Sequence, residues 1–282
     1  NSMKKRVAIV YGGYSSEWII SEKSAKVVKA HLSSEHFETY LVHISKDDWR
    51  VKLDNQSEAE INKNDFSFEL DGASQKFDLV FNAIHGTPGE DGKLAGYFDM
   101  LQIPYTSAGV MSSSLTFSKS YCNGYLRQFT DINIAASVLV RKGDKFDKEA
   151  ILTKVGGLPC FVKPNNGGSS FGITKLIKPE DFDAALNHAL EDDTEAVFEQ
   201  FINGREFGSG VYMQDGKIIA LPITEIVSEN DFFDYQAKYE GASKEITPAE
   251  IDTDLTRLVQ ETTKTVFEKL KLKGMARVDY IV

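Results

Sequence analysis

The residues best suited to chemistry in this sequence lie in the stretch Leu158–Ile177, LPCFVKPNNGGSSFGITKLI. A short apolar strand ends at Lys163, a tight turn follows at Pro164–Gly168, and Ser169 and Ser170 precede a second apolar strand. Adjacent glycines let a backbone turn and lie against a ligand, and successive N–H groups in such a turn bind phosphate oxygens. A Walker loop is excluded because no Gly-Lys-Ser/Thr follows and the next element is a strand. The stretch is therefore either a phosphate-binding loop or an Asn-Gly hairpin turn with solvated serines.

Two further glycine-rich turns follow apolar strands nearer the N-terminus. The strand Arg6–Tyr11 runs into GGYSSE, which ends at Glu17, and the strand Asp78–Ile84 runs into HGTPGEDG, which begins at His85. Strands that alternate with helices predict a parallel sheet, and ligands bind such sheets beyond the carboxyl ends of the strands. Glu17 and His85 are thus candidate ligand contacts. Alternatively, Glu17 only satisfies the dipole and the free N–H groups at the start of a helix, and His85 only caps a turn.

The remaining patterns supply the elements that must position these turns. Antiparallel strand pairs with helices replace the strand–helix alternation after a boundary near Thr106–Val110. The predicted elements of this second part are a helical region Ser107–Gln128, a strand Ala136–Val140, helices Asp147–Val155 and Pro179–Glu191, a strand Ala196–Ile202, a hairpin of Phe207–Met213 with Lys217–Pro222, a long polar loop Ser228–Ile246, and a helix Pro248–Leu272 with an apolar stripe at Leu255, Leu258, Val259, Thr262 and Val266.

Composition narrows the class of protein. The 282 residues carry a formal net charge of −10 and include no basic run, so general nucleic-acid binding is disfavoured. No apolar run is long enough to cross a bilayer, and the sequence favours a cytoplasmic protein. Cys122 and Cys160 are too far apart for a metal or disulfide pattern. The apolar strand Met275–Val282 has no turn after it, and we expect further residues to follow Val282 in the natural chain.

Seven strings, in this order and spacing, together resemble the ATP-grasp superfamily and, within it, the D-alanine–D-alanine ligase family. The strings are GGYSSE from Gly12, HGTPGEDG from His85, SLTFSKSYCNGYL around Lys119, VKPNNGGSSFG from Val162, EQFINGREF from Glu199, DYQAKY from Asp234 and RVD from Arg277. The resemblance implies an α/β fold in which a Rossmann-like N-terminal domain precedes two α+β domains that clasp ATP. The expected domains are residues 1–107, 108–202 and 203–282, the last of them truncated.

The resemblance implies a nucleotide site in the second and third of these domains. Lys119 and Lys163 would bind the triphosphate, capped by Gly168 and Ser170, and Lys238 would reach the γ-phosphate when a mobile loop closes. Glu199 would accept a hydrogen bond from the adenine amine. The alternative is that Glu199 is simply a solvated carboxylate on the strand face. The backbone of Phe201 and Ile202 would read the ring edge, and Glu206 would bind the ribose hydroxyls.

The resemblance also implies the amino-acid site and the reaction. ATP would phosphorylate one D-alanine, and the amine of a second would attack the acyl phosphate. Glu17 would hold the first ammonium and connect through Ser169 to Tyr239 on the lid, unless Tyr239 merely packs. His85 would lie near the reacting carboxylate, Arg277 would stabilise the tetrahedral intermediate, and Asp279 would bind Mg²⁺, with Mn²⁺ as a substitute. Because Tyr239 is retained, we expect D-alanyl-D-alanine rather than D-alanyl-D-lactate as product.

Two departures from the family pattern accompany this resemblance. Gln236 stands where the family usually has an acidic residue, and we expect little effect at a solvent-facing lid position. The family's Glu-x-Asn metal pair would fall after Val282, so the chain as given is expected to bind nucleotide without turnover. The alternatives are another ATP-grasp carboxylate–amine ligase or a non-catalytic ATP-binding module. The family also implies a homodimer that binds no nucleic acid and no membrane.

Overall fold

The computed structural model describes residues 3–168, 170–228 and 243–282. The chain divides into two compact units, Asn1–Ser114 and Leu115–Val282. Within the described residues, none of the helices is both long and apolar enough to cross a membrane.

The first unit is built on a five-stranded sheet with the order β4-β3-β2-β1-β7. Its strands are β1 (Lys5–Gly12), β2 (Phe37–Ile44), β3 (Trp49–Lys52), β4 (Glu58–Glu60) and β7 (Leu79–Asn82), and a separate ribbon joins β5 (Phe68–Leu70) to β6 (Ala73–Gln75). β1 pairs in parallel with both β2 and β7, whereas β3 and β4 extend the sheet antiparallel. The predicted parallel arrangement is confirmed at the centre of the sheet.

Side chains of the central strand are buried on both faces of this sheet. Val7 and Ile9 pack into one apolar cluster, while Ala8 and Val10 pack into another, because successive residues of a strand point to opposite faces. The helices of this unit are α1 (Trp18–His31) and α2 (Lys93–Met100), and α3 (Val110–Phe117) runs across the boundary. The turns at Gly12 and Gly86 follow the carboxyl ends of β1 and β7, as the sequence predicts.

The second unit begins with an antiparallel sheet of order β10-β9-β11-β8. Its elements are α4 (Lys119–Leu126), β8 (Ser137–Arg141), α5 (Lys148–Lys154), β9 (Cys160–Pro164), β10 (Thr174–Leu176), a 3₁₀ turn (Pro179–Asp181), α6 (Phe182–Ala189) and β11 (Glu195–Gln200). Cys160, Val162 and Phe198 face a core closed by Phe182, whose ring stacks 4.7 Å from that of Phe198. Lys163 and Glu199 alternate with these core residues and therefore face the other way.

A second sheet completes this unit and is centred on β12 (Glu206–Gln214). β14 (Thr224–Ser228) and β13 (Lys217–Ala220) follow one another along one edge of β12, β16 (Met275–Ile281) lies along the other edge, and β15 (Ser243–Ile246) pairs with β14. Helix α7 (Thr253–Lys269) packs against this sheet through Val259, near Phe207 and Ile223.

Three sequence predictions are wrong in this second part. The last helix begins at Thr253 rather than Pro248, because the side chain of Asp252 caps it by accepting from Leu255 N at 2.7 Å. Leu258 is 64% exposed, and Thr263 rather than Thr262 is buried on this helix. The predicted loop Ser228–Ile246 ends in the strand β15 rather than in irregular structure.

Candidate active site

Lys163 and Glu199 form an ion pair on the open face of the first sheet of the second unit. β9 and β11 are antiparallel with Lys163 opposite Val197 and Glu199 opposite Phe161, so the two charged side chains are diagonal neighbours on one face. Lys163 Nζ lies 2.6 Å from Glu199 Oε1, and the side chains are 20% and 19% exposed. The arrangement places a hydrogen-bond acceptor and a cation side by side in a partly desolvated site.

Aromatic rings and a second lysine surround this pair. The rings of Phe161 and Phe201 lie 5.9 Å apart, and Lys163 Nζ lies 5.7 Å from the centre of the Phe161 ring. Lys175, opposite Phe161 on β10, places its Nζ 4.6 Å from the Phe201 ring. Phe201 and Ile202 follow the end of β11, so their backbone groups are not committed to that strand. Flat rings beside an acceptor suit a planar heterocycle that carries an amine.

In the turn after β9, the first three backbone N–H groups donate hydrogen bonds to other parts of the protein. Asn165 N donates to Glu195 O, Asn166 N to an oxygen of Asp193, and Gly167 N to Phe117 O, at distances of 3.0, 2.9 and 3.0 Å. Gly167 has φ of 105°, a left-handed conformation that favours glycine. A Cβ on Gly168 would meet nothing within 4 Å, so a ligand can reach the backbone there. Ser170 is 8% exposed.

Lys119 lies at the first position of α4 and reaches toward the same turn. Its Nζ donates to Gly167 O at 2.6 Å. Ser118 caps this helix by accepting from Tyr121 N, which divides the predicted helical region Ser107–Gln128 into two helices. The two predicted triphosphate lysines are thus held by different elements, and Lys119 contacts the glycine turn directly.

The second sheet of this unit brings Arg277 and Asp279 together. Arg277 Nε donates to Asp279 Oδ1 at 2.9 Å, and its Nη2 donates to Oδ2 at 3.1 Å. Gly208 lies opposite Asp279, and the side chains of Arg277 and Asp279 lie over it, at 3.4 and 3.6 Å from where its Cβ would be. Glu206 is two residues before Gly208 and shares its face. An open cleft of about 330 Å³ on this face is lined by Gly208, Gly210, Thr224, Glu245 and Arg277.

In the first unit, Glu17 and His85 lie in adjoining turns. Ser15 Oγ donates to His85 O at 3.2 Å and accepts from Glu17 N at 3.2 Å, which fixes the two turns against each other. Glu17 is 5% exposed, and its carboxylate lies 3.9 Å from where a Cβ on Gly86 would be. His85 Nε2 is 3.3 Å from Ser24 Oγ on α1. A buried carboxylate suits an ammonium, and an imidazole from the adjoining turn suits a carboxylate, so the two turns together offer partners for the two charged groups of an amino acid.

Glu90 lies in the same turn as His85, and the sequence analysis does not predict it as a site residue. Its Oε1 accepts from Gly86 N at 2.5 Å. Desolvation of the carboxyl by the surrounding protein raises the pKa of Glu90, with Glu17 adding to the shift and the Gly86 N–H and His85 opposing it, although the outer surface of the residue stays exposed. The HGTPGEDG string contains Glu90, but spacing alone gives no sign that it folds back onto Gly86.

Three predicted site residues, Ser169, Lys238 and Tyr239, lie outside the described residues.

Burial raises the pKa of both Cys122 and Cys160 to about 11, so both remain thiols at neutral pH. The part of the chain that the structure describes contains no group of three or more His, Cys, Asp or Glu side chains able to hold a metal. Asp279 stays the predicted metal ligand: its carboxylate would suit Mg²⁺, because that ion takes one or two carboxylates together with substrate phosphates.

Comparisons with known proteins agree along nearly the whole chain. The model of the D-ala D-ala ligase N-terminus matches residues 6–108, and that of the D-ala D-ala ligase C-terminus matches residues 126–282. The chain is 46% identical over 280 residues to the D-alanine–D-alanine ligase of Parabacteroides distasonis, a match that covers 99% of this chain and 84% of that protein.

Solved structures show the same architecture. VanG D-Ala:D-Ser ligase from Enterococcus faecalis is 30% identical with a TM-score of 0.83, over 99% of this chain and 86% of that one. D-alanyl-alanine synthetase A from Vibrio cholerae shares the fold with a TM-score of 0.85 at 24% identity, over 100% of this chain and 85% of that one.

Fold and site together define an α/β protein of the ATP-grasp class, as the sequence predicts. The chain belongs to the D-alanine–D-alanine ligase family. The family prediction is therefore confirmed, whereas the roles of individual site residues and the domain limits at 107 and 202 stay predictions.

Proposed function

We propose that this protein joins two D-alanine molecules in an ATP-dependent reaction that forms ADP and phosphate, and so supplies a dipeptide for peptidoglycan precursors. Membership of the D-alanine–D-alanine ligase family supports the reaction class, and the relative from Parabacteroides distasonis carries that name. The structural observation that carries the proposal is the Lys163–Glu199 ion pair beside the Phe161 and Phe201 rings.

This pair suits the base and phosphates of ATP. A carboxylate accepts hydrogen bonds and does not donate them, so Glu199 selects a base with an amine at its edge. The backbone of Phe201 and Ile202 would contact the ring edge, and Glu206 would take the ribose hydroxyls. Lys163 and Lys119 would balance the charge of the phosphates, and Gly168 and Ser170 would contact them. Lys238, which lies outside the described residues, would add a further positive charge at the γ-phosphate.

The first D-alanine would bind in the first unit. The buried Glu17 carboxylate would pair with its ammonium, and His85 would lie near its carboxylate. Ser169 and Tyr239, outside the described residues, would link this position to a lid. Enclosure of this kind protects an acyl phosphate from water.

The chemistry consists of two displacements in which the protein mainly positions charge. A carboxylate oxygen of the first D-alanine attacks the γ-phosphorus, an O–P bond forms, and the bond to ADP breaks. The amine of the second D-alanine then attacks the acyl carbon, loses a proton and expels phosphate with that same oxygen. Arg277 would stabilise the oxyanion of the tetrahedral intermediate. Mg²⁺, or Mn²⁺, held in part by Asp279 would neutralise phosphate charge when bound.

We further propose that the protein acts in the cytoplasm as a homodimer, with D-alanine as its small-molecule partner. The reaction supports the location, since ATP is a cytoplasmic substrate, and the homodimer is what the family resemblance implies.

Product analysis tests the proposed function. The natural protein is incubated with ATP, Mg²⁺ and D-alanine, and ADP, phosphate and dipeptide are quantified by mass spectrometry. We expect the three products in equal amounts, and no dipeptide when ATP is omitted. Parallel reactions that add equal D-serine or D-lactate determine the second substrate. Predominant D-alanyl-D-serine or D-alanyl-D-lactate would contradict D-alanine as that substrate.

A further inference from the structure

Asn165 is a polar residue in a position that is completely buried. Its exposed fraction is 0%. Its Oδ1 accepts from Ser120 N at 2.9 Å, and its Nδ2 donates to Ser118 Oγ at 2.9 Å and to Glu195 Oε1 at 3.3 Å. The amide therefore uses its acceptor and both of its donors, as a buried polar group requires.

The backbone of Asn165 continues the same set of contacts. Its N–H donates to Glu195 O at 3.0 Å, and its carbonyl accepts from Lys119 N at 2.9 Å. Asn165 therefore contacts three consecutive residues at the start of α4, namely Ser118, Lys119 and Ser120. The side chain of Lys119 closes the ring by donating to Gly167 O, two residues after Asn165.

Glu195 connects this ring to the sheet that carries the candidate nucleotide site. It is the first residue of β11, the strand on which Glu199 lies. Its other carboxylate oxygen, Oε2, pairs with Arg141 Nε at 3.0 Å on the neighbouring strand β8. The carboxylate that receives the Asn165 amide is thus itself held by the sheet.

We infer that Asn165 is a positioning residue that holds Lys119 and the glycine turn where they can bind the phosphates of the nucleotide. The inference rests on the proposed function, in which Lys119 and Gly168 bind phosphate. Asn165 has no exposed surface with which to contact a ligand, so it acts through Lys119 and the turn. Loss of its amide removes the two side-chain bonds between the turn and the start of α4, and leaves Ser120 N and Ser118 Oγ without this partner, while the backbone bond from Lys119 N remains.

A comparison of nucleotide and nucleoside separates positioning from general support of the fold. Calorimetry measures the affinities of wild-type and Asn165→Ala protein for ATP and for adenosine. We expect Asn165→Ala to bind ATP about tenfold or more weakly, and adenosine within about twofold of wild type. In Lys119→Met protein the further change Asn165→Ala should add little, because residues that act through one contact are not additive.

Thr263→Val is the matched control for stability. Thr263 is also 0% exposed and hydrogen-bonded, to Val259 O and Tyr280 Oη, but it lies on α7, on the side that packs against the second sheet. We expect this variant to lower the melting temperature and leave both affinities unchanged. If Asn165→Ala does not fold, Ser118→Ala removes one of its partners and should show the same ATP-selective loss on a smaller scale.

Equal losses for ATP and adenosine, or fully additive effects with Lys119→Met, would overturn the positioning role. Unchanged ATP affinity in both Asn165→Ala and Ser118→Ala would overturn it as well, while leaving the proposed function intact. Wild-type protein that binds adenosine no less tightly than ATP would contradict the proposed function and, with it, this inference.

Discussion

Lys163 Nζ lies 2.6 Å from Glu199 Oε1 on neighbouring strands of one sheet, with each side chain about four-fifths buried. A partly buried ion pair adds little net stability, because the loss of hydration offsets much of the attraction. Its position beside two aromatic rings instead favours a role in ligand binding. The lysine holds the carboxylate in place, so the pair would offer the base of ATP a fixed acceptor.

Replacement of the lysine should abolish nucleotide binding. In Lys163→Met protein the phosphates lose a cation, and Glu199 loses the partner that compensates its charge. We expect ATP affinity to fall by about a hundredfold or more, since loss of one side of a desolvated charge pair costs about 3 kcal/mol. The matched control is Lys148→Met, a surface lysine of the same unit that pairs with Asp183. Unchanged ATP affinity in Lys163→Met would refute the site.

Replacement of the glutamate should change the choice of base. Glu199→Gln converts an acceptor into a group that also donates, so it can serve the carbonyl of guanine as well as the amine of adenine. We expect ATP affinity to fall about tenfold and the preference for ATP over GTP to shrink. Competition between the two nucleotides measures the preference. A preference equal to that of wild type would show that Glu199 does not contact the base.

The sequence predicted both members of this pair but not their contact. Lys163 stood out because it precedes two glycines, and Glu199 because it interrupts an apolar strand. Their contact depends on the register of β9 with β11, which places Phe161 opposite Glu199. β9 and β11 are separated by the glycine turn, β10 and α6, so their register is set by tertiary packing and cannot be read from either strand alone.

Other misses have similarly local causes. Asn165 looks like an ordinary turn residue, because its partners Ser118 and Glu195 are 47 and 30 residues away. The last helix was predicted to start too early because Pro248 is a common helix-start residue, whereas the cap is Asp252. Leu258 is 64% exposed although it fits the apolar stripe, whereas Val259 and Val266 of the same predicted stripe are buried.

Gly172 should be irreplaceable for a steric reason. It has φ of 76°, and a Cβ there would lie 2.8 Å from Pro164 Cγ at the end of β9. Gly172→Ala should lower the free energy of unfolding by about 2–4 kcal/mol, as the sum of left-handed strain and overpacking. Gly216→Ala is the control, because φ is 75° there and nothing lies within 4 Å. Chemical denaturation that gives equal losses for both variants would rule out the clash.

Acid should remove the contribution of the Arg205–Glu225 ion pair to the free energy of unfolding. Arg205 donates to both carboxylate oxygens, at 2.9 and 2.8 Å, and this bonding holds the pKa of Glu225 below its usual value of 4.5. A lowered folded-state pKa means that the stabilisation is present above the unfolded-state pKa and is lost as pH falls through the folded-state one. We therefore expect Glu225→Gln to destabilise the protein near neutral pH, and the difference from wild type to shrink as pH falls below the usual glutamate pKa of 4.5. A difference that grows toward low pH would contradict this sign.

The path of oxygen tests the central claim, ligation through an acyl phosphate, most directly. The natural protein is given ATP, Mg²⁺ and D-alanine labelled with ¹⁸O in its carboxylate, and the phosphate and dipeptide are analysed by mass spectrometry. Because only the attacking carboxylate oxygen leaves with phosphate, we predict one labelled oxygen in each phosphate, while the other oxygen of that carboxylate keeps its label in the new peptide carbonyl. Unlabelled phosphate, or label found in AMP, would contradict the account.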